Sequence, residues 1–201
     1  DVAREQGYEP LAEAIFAQKL PITQIIQNSK VKIQNSEEAL QGARDIIAER
    51  VSETAYVRET LRQTFRKRRL VAKATKKAVG AEAMKYRSYF DYSESIERMA
   101  PHRLLAILRA QEEGFLSLKI DADPEKSVKK MYYDFCQERK YPAAALADQI
   151  HMALEDSYKR LLEPSISNEI LKEAKEKADI ESIRIFGENL RQLLLAPPVG
   201  Q

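Results

Sequence analysis

Apolar residues return every three or four positions along most of this chain, a spacing that suits amphipathic helices and little else. Asn35 to Glu38 reads Asn-x-x-Glu, a variant of the capping box, and Leu40, Ala43, Ile47 and Val51 follow at helical intervals. Ser52 is placed to cap a second helix with Val57, Leu61 and Phe65 on its inner side. Asp123-Pro124 supplies an N-cap and a proline at the first helical position, ahead of Val128, Met131, Tyr132 and Phe135. Pro142 opens a longer helix carrying Leu146, Ile150, Leu154, Tyr158 and Leu161, which Pro164 is expected to close. A last helix carries Ile183, Phe186, Leu190, Leu193 and Leu194.

One stretch departs from this pattern. Leu116, Leu118 and Ile120 alternate with Ser117 and Lys119 just after Gly114, a period of two that reads as a strand. A lone strand leaves its backbone groups unsatisfied, so it needs a partner. Leu70 to Thr75 is the internal candidate, with a helix extension there as the other reading. The fold class is therefore all-α, a multi-helix assembly with at most one short β-ribbon.

A chain that is 44% hydrophobic and 32% charged, with 6 Gly and 8 Pro, fits helices with solvated outer faces and is too apolar for a disordered tail. Its 201 residues suffice for one or two hydrophobic cores. No apolar run approaches the ~20 residues of a membrane-spanning helix, and no signal peptide opens the chain. No membrane partner is expected. A single cysteine, Cys136, excludes an internal disulfide framework and fits a cytoplasmic protein. The chain begins at Asp1 without a Met and stops just past Pro197-Pro198, so a piece of a longer protein is expected.

Candidate chemistry is sparse. His102 and His151 are far apart and lack metal-ligand spacing. Cys136 beside Phe135 reads as a packed thiol rather than a nucleophile. The glycines are scattered, so there is no phosphate-cradling loop, and most acid pairs lie near Lys or Arg on helix faces. No catalytic residue, metal site or cofactor is expected.

Charge is distributed unevenly although the net value is only +2. Arg62, Arg66, Lys67, Arg68, Arg69, Lys73, Lys76 and Lys77 follow one another with no acid between them. Such a run attracts a phosphate backbone. The alternative is a solvated helix end, with Arg66 to Arg69 in the last turn facing the helix dipole. That alternative leaves Lys73, Lys76 and Lys77 unexplained. With no aromatics interleaved, and Phe65 facing inward, contact there should be sequence-independent. A second candidate is the helix from Pro101 to Gly114, which opens with His102-Arg103 as a recognition helix does. The alternative pairs those side chains with Asp91 or Glu94.

The same residues carry a family likeness. Tyr89-Phe90-Asp91-Tyr92-Ser93-Glu94, then His102-Arg103-Leu104-Leu105-Ala106-Ile107-Leu108-Arg109, then Glu113-Gly114 and Leu116, resemble the central block of the Tex family. Glu38 to Glu49 and Gly187 to Pro198 agree with it as well. The resemblance implies a bacterial transcription accessory factor that binds nucleic acid. It also implies a helix-turn-helix-like unit in this region, an arrangement shared by a eukaryotic elongation factor that chaperones histones. By that comparison residues 1–80 belong to an N-terminal helical region. Residues 81–201 form the helical region with that unit, ending where an RNase-H-like domain would begin. Two departures stand out: the family's Arg-Gly is Arg109-Ala110 here, and its acidic Gly-Lys-Glu-Glu stretch is replaced by Lys76 to Glu82.

Two functions are therefore expected to compete. One is a non-catalytic nucleic-acid-binding and scaffolding segment that contacts RNA or DNA through its backbone. The other is a protein-interaction scaffold that holds the other domains of its parent or docks a protein such as RNA polymerase. The family block and the basic run from Arg62 to Lys77 put the first ahead; the modest net charge, and a surface expected to lack aromatics suited to stacking, are what the second rests on.

Overall fold

The computed structural model describes residues 2–28, 36–136 and 144–195. The expected cap at Asn35, the helix start at Pro142 and the Pro197-Pro198 end lie outside the described residues, as does the side chain of Cys136. The chain divides into two compact units, one formed by Asp1–Gln63 with Asp123–Ile166 and the other by Thr64–Ala122 with Ser167–Gln201. The expected regions 1–80 and 81–201 follow family resemblance rather than compactness, and their limits differ from these.

The first unit is helical. It contains α1 (Val2–Glu5), α2 (Glu9–Ala17), α3 (Ile22–Asn28) and α4 (Ser36–Ser52). Most of α5 (Ala55–Arg66), then α8 (Pro124–Cys136) and α9 (Ala144–Asp156), complete it with the start of α10 (Glu163–Leu195). Central to it is α4, which buries Ala39, Leu40, Ala43, Ile46, Ile47, Ala48 and Val51 and packs against α2 and α9. Its small residues let neighbours approach closely. A Cβ on Gly42 would run into the Tyr8 ring and meet the Ala3 methyl at 3.4 Å.

The same helix buries a cation. Arg44 is 8% exposed, and an unsatisfied charge there would be costly. Its guanidinium donates to Gln149 Oε1 at 2.6 Å, to Gln41 Oε1 at 2.6 Å and to Glu37 Oε1 at 2.8 Å. The bond to Gln149 ties α4 to α9.

Pro164 does not close the helix it was expected to end. From α9 the chain passes through a π-helical turn at Ser157–Leu162 and continues as α10. Pro164 has no N–H for the carbonyl of Arg160, and its ring crowds that group, so the preceding turn widens instead of breaking. The widening also sets the buried stripe. Leu146, Ile150, Leu154, Tyr158, Leu162, Ile166 and Ile170 are all buried at intervals of four. A regular α-helix would carry such a stripe around its axis by about 40° per step. The wide turn recovers part of that drift, which is why Leu162, rather than the expected Leu161, lies in the core. Ser157, fully buried, donates from Oγ to the carbonyl of Ala48 at 2.8 Å.

The second unit is built on a small sheet. Strands β1 (Arg69–Ala74), β2 (Asp91–Ser95) and β3 (Leu116–Ile120) lie in the order β2-β1-β3, antiparallel throughout. The pairing of Leu70 to Thr75 with Leu116 to Ile120 is as the alternation predicts. The Tyr-Phe-Asp-Tyr block adds β2, a third strand that the sequence reading did not anticipate. One sheet face is covered by α7 (Pro101–Glu112). Leu70, Ala72, Leu104, Ile107, Leu108 and Leu116 join in one core with Ala178 of α10. The short α6 (Ala81–Met84) adds Ala83, also buried. The distal half of α10, in contrast, leaves Ile183, Phe186, Leu193 and Leu194 exposed.

Gly42→Ala should destabilise the first unit by roughly 1–3 kcal/mol through overpacking, despite alanine's better helix propensity. In thermal or urea unfolding, the double variant Tyr8→Ala/Gly42→Ala should cost less than the sum of the single changes, because the clash is removed with the ring.

Candidate nucleic-acid interface

The eight cations from Arg62 to Lys77 do not share one helix. Arg62 and Arg66 lie in the last turns of α5, Lys67 and Arg68 form a turn, Arg69 and Lys73 belong to β1, and Lys76 and Lys77 lie in the turn that follows. Helix α5 therefore ends before the run is half complete, because Leu70 and Ala72 are drawn into the sheet.

Several of these side chains are already engaged. Arg62 lies 3.7 Å from Glu59. Arg66 grips Glu173 with Nε at 3.1 Å and Nη2 at 3.0 Å. Arg69 donates to the hydroxyl of Ser93 at 2.8 Å and to the Ser93 carbonyl at 2.5 Å. Among the described residues, the side chains of Lys67, Arg68, Lys73, Lys76 and Lys77 have no hydrogen-bond or ion-pair partner. Of these, Lys67, Lys73, Lys76 and Lys77 are exposed and Arg68 is half-buried.

Alternation along β1 sends Leu70 and Ala72 into the core and Arg69 and Lys73 to the outer face. Across the ladder, Val71 lies between Ser93 and Lys119, and Lys73 lies between Asp91 and Ser117. The outer face thus carries Arg69, Lys73 and Lys119 among serines, with Asp91 opposite Lys73 and Asp121, just past β3, opposite Arg69. Two strand residues advance about 6.7 Å and strands lie about 4.8 Å apart, so Lys119 lies about 8 Å from each of Arg69 and Lys73, which are about 13 Å apart. Lys119 did not figure among the sequence candidates. The signal was present, since the alternation that reveals β3 also puts Ser117 and Lys119 on the side away from the core.

The turn bearing Lys76 and Lys77 is pinned to the end of α7. Thr75 donates from its N–H to the Phe115 carbonyl at 2.9 Å and from Oγ1 to the Gly114 carbonyl at 2.7 Å. The Lys77 N–H returns to Thr75 Oγ1 at 3.2 Å. These bonds hold the two lysines at the end of the sheet rather than on a free loop.

At the other end of α7, Pro101 occupies the first turn, and the N-cap Ala100 makes no side-chain cap bond. His102 is exposed. Arg103 donates to Glu94 at 2.8 Å, and Glu94 accepts the Tyr92 hydroxyl at 2.5 Å. That hydrogen bond, followed by burial, holds the Tyr92 phenol above its ordinary value of 10.0. Among the described residues no group of His, Cys, Asp or Glu could hold a metal ion, and no helix is long and apolar enough to cross a membrane.

A family model described as Tex central region-like matches residues 18–186. The chain belongs to the Tex family. It is 39% identical over 205 residues to the YdcI protein of Bacillus subtilis, covering 98% of this chain and 28% of that protein. It is 28% identical over 204 residues to the transcriptional accessory protein Tex of Neisseria gonorrhoeae, covering 100% of this chain and 27% of that one. Over 210 residues it is 27% identical to the human S1 RNA-binding domain-containing protein 1, covering 98% and 21% respectively. The chain spans about a quarter of the length of these relatives.

Two positions of the Tex-like block acquire physical reasons here. Gly114 has φ +82° directly after α7, a left-handed conformation that closes a helix at little cost only for glycine. Ala110, where the family carries glycine, is wholly buried in α7, so its methyl group contributes to the core. A further lock joins α6 to α7: Glu113 accepts the Tyr86 hydroxyl at 2.9 Å and pairs with Lys85 at 2.9 Å. The Lys85 bond, then that from Tyr86, keeps the Glu113 carboxyl below its usual range.

Gly114→Ala should cost about 1–2 kcal/mol from backbone strain alone and should loosen the Lys76-Lys77 turn. Faster amide exchange at Thr75 and Lys77 would register that loosening. Because the folded-state value of Tyr92 lies above the unfolded one, its contribution to stability is present below pH 10 and is lost as pH rises through the folded value. Glu94→Gln should move the Tyr92 titration down towards 10, measured by tyrosinate absorbance, and flatten the alkaline loss of stability.

Proposed function

We propose that this segment supplies a sequence-independent contact to the phosphate backbone of nucleic acid within a Tex-like transcription accessory protein of the bacterial cytoplasm. The observation that carries the reading is the gathering of Arg69, Lys73 and Lys119 on one exposed sheet face, with Lys76 and Lys77 held at its end. Cations on a pleated face are fixed in spacing, so a phosphate chain can be held without ordering flexible loops first. With Phe65 buried, the run exposes no aromatic ring and is indifferent to base identity. At the start of α7, His102 belongs to the same reading as a recognition-helix-like contact, whereas Arg103 is committed to Glu94.

The scaffold reading has its own supporting observation. Ile183, Phe186, Leu193 and Leu194 expose 67–73% of their surface along α10. Contiguous apolar surface of this kind marks interaction sites on other proteins or domains. Holding neighbouring parts of the parent, or docking RNA polymerase, is the form that reading takes.

A charge-reversal variant separates the two. Lys73→Glu/Lys76→Glu/Lys77→Glu leaves Arg66 and Arg69 in place, since those arginines hold Glu173 and Ser93. With about five phosphates neutralised, duplex DNA binding by the chain should show a log–log salt slope of roughly −4. The triple variant should make that slope shallower by about 2 to 3 and weaken binding at low salt. Unchanged affinity in the variant, or no detectable binding by the parent chain at low salt, would leave the scaffold reading standing alone.

A further inference from the structure

The aromatic residues missing from the basic sheet are present on a different surface, in the first unit. On α8, Tyr132 turns towards α9 and Tyr133 turns outward, where it is 50% exposed. The rings of Tyr133 and Tyr132 lie 6.5 Å apart at their centroids, and the ring of Tyr132 lies 6.1 Å from that of His151 on α9. His151 is itself half exposed, with 50% of its side chain accessible. Three rings therefore run in sequence across the α8–α9 surface.

Lysines frame the outer end of this row. The Lys129 ammonium lies 6.0 Å from the centre of the Tyr133 ring, at the reach of a cation–π contact. Lys126 and Lys130 occupy the same helical face, two turns and one turn before Tyr133 respectively. Lys126 is held by Asp123 at 3.0 Å, while Lys130 is exposed. The acids Glu125 and Asp134 lie about a quarter turn to either side. An exposed tyrosine with lysines above and beside it joins a π-surface to a phosphate-attracting edge. Single-strand-binding proteins combine the same two elements, because every nucleobase offers a face to stack.

We infer that the Tyr133–Tyr132–His151 row is a second nucleic-acid site, one that stacks unpaired bases and so takes single-stranded rather than duplex nucleic acid. An expected lack of exposed aromatics favoured the scaffold reading from sequence; Tyr133 corrects that expectation. The site does not depend on the sheet. Its chemistry is stacking rather than charge alone, and its residues lie in the other compact unit.

The test uses the intact chain with fluorescein-labelled oligouridylate, and with the same strand annealed to oligoadenylate. Tyr133→Ala should weaken oligouridylate binding about five- to tenfold and leave the duplex affinity unchanged. Tyr133→Phe keeps the ring and should bind like the parent chain. Being exposed, Tyr133 can be changed without disturbing the fold, which unchanged thermal melting would verify. The inference is overturned if Tyr133→Ala binds oligouridylate normally, if Tyr133→Phe loses as much as alanine, or if duplex binding falls equally. It is also overturned if the parent chain does not bind oligouridylate at low salt. The sheet variant Lys73→Glu/Lys76→Glu/Lys77→Glu, run alongside, reads the duplex contact separately, so failure of one site leaves the other measurable.

Discussion

Pairing of β1 on both of its edges is the constraint on which the character of the second unit rests. Leu70 and Ala72 are drawn under α7, and the ladder to β2 and β3 satisfies their backbone groups. Had the run stayed helical, its cations would have spread around a cylinder with i, i+4 partners at hand. Alternation in a strand separates them cleanly instead. The apolar side chains go to the core, and Arg69 and Lys73 go to a face where Lys119 joins them. Gly114 then turns the chain so that Thr75 can anchor the Lys76-Lys77 turn. The basic face is a consequence of strand pairing more than of the basic run itself.

The first unit depends on a different solution to a similar problem. A stripe of large residues at intervals of four cannot stay on one side of a regular α-helix. The π turn at Ser157–Leu162 lets Tyr158 and Leu162 both reach the core, and Ser157 takes up a buried carbonyl of α4. Arg44 adds specificity to the same interface, because its guanidinium is satisfied only when Glu37, Gln41 and Gln149 converge on it. A buried cation of this kind is weak evidence for stability, but it penalises every misaligned packing of α4 on α9.

Much of this was legible in the residues, and the exceptions have physical causes. Helices with polar–apolar periodicity were readable because burial on one face repeats every turn, as Val57, Leu61 and Phe65 show. Strand β3 was readable from Leu116, Leu118 and Ile120, and its need for a partner followed from its backbone groups, whereas Leu70 to Thr75 stood open between strand and helix extension. Strand β2 was not, since Asp91 to Ser95 is a short polar edge strand without apolar alternation. Pro164 misled because a proline reads as a stop unless the preceding turn can widen. The site candidates were chosen by charge in sequence, which does not reveal that Glu173, 107 residues away, lies against Arg66. Glu94 is only 9 residues from Arg103, and that pairing was among the readings the sequence offered. Lys119 was overlooked for the converse reason, being remote in sequence and adjacent across the ladder.

The central claim is that the outer sheet face, with the turn at its end, meets phosphates. Lysine-reactivity footprinting of the chain, with and without duplex DNA at low salt, examines it residue by residue. Lys73, Lys76, Lys77 and Lys119 should be shielded by DNA, while Lys172 and Lys175 on α10 keep their reactivity. Shielding spread evenly over all the lysines, or confined to those outside the sheet and its turn, would contradict it.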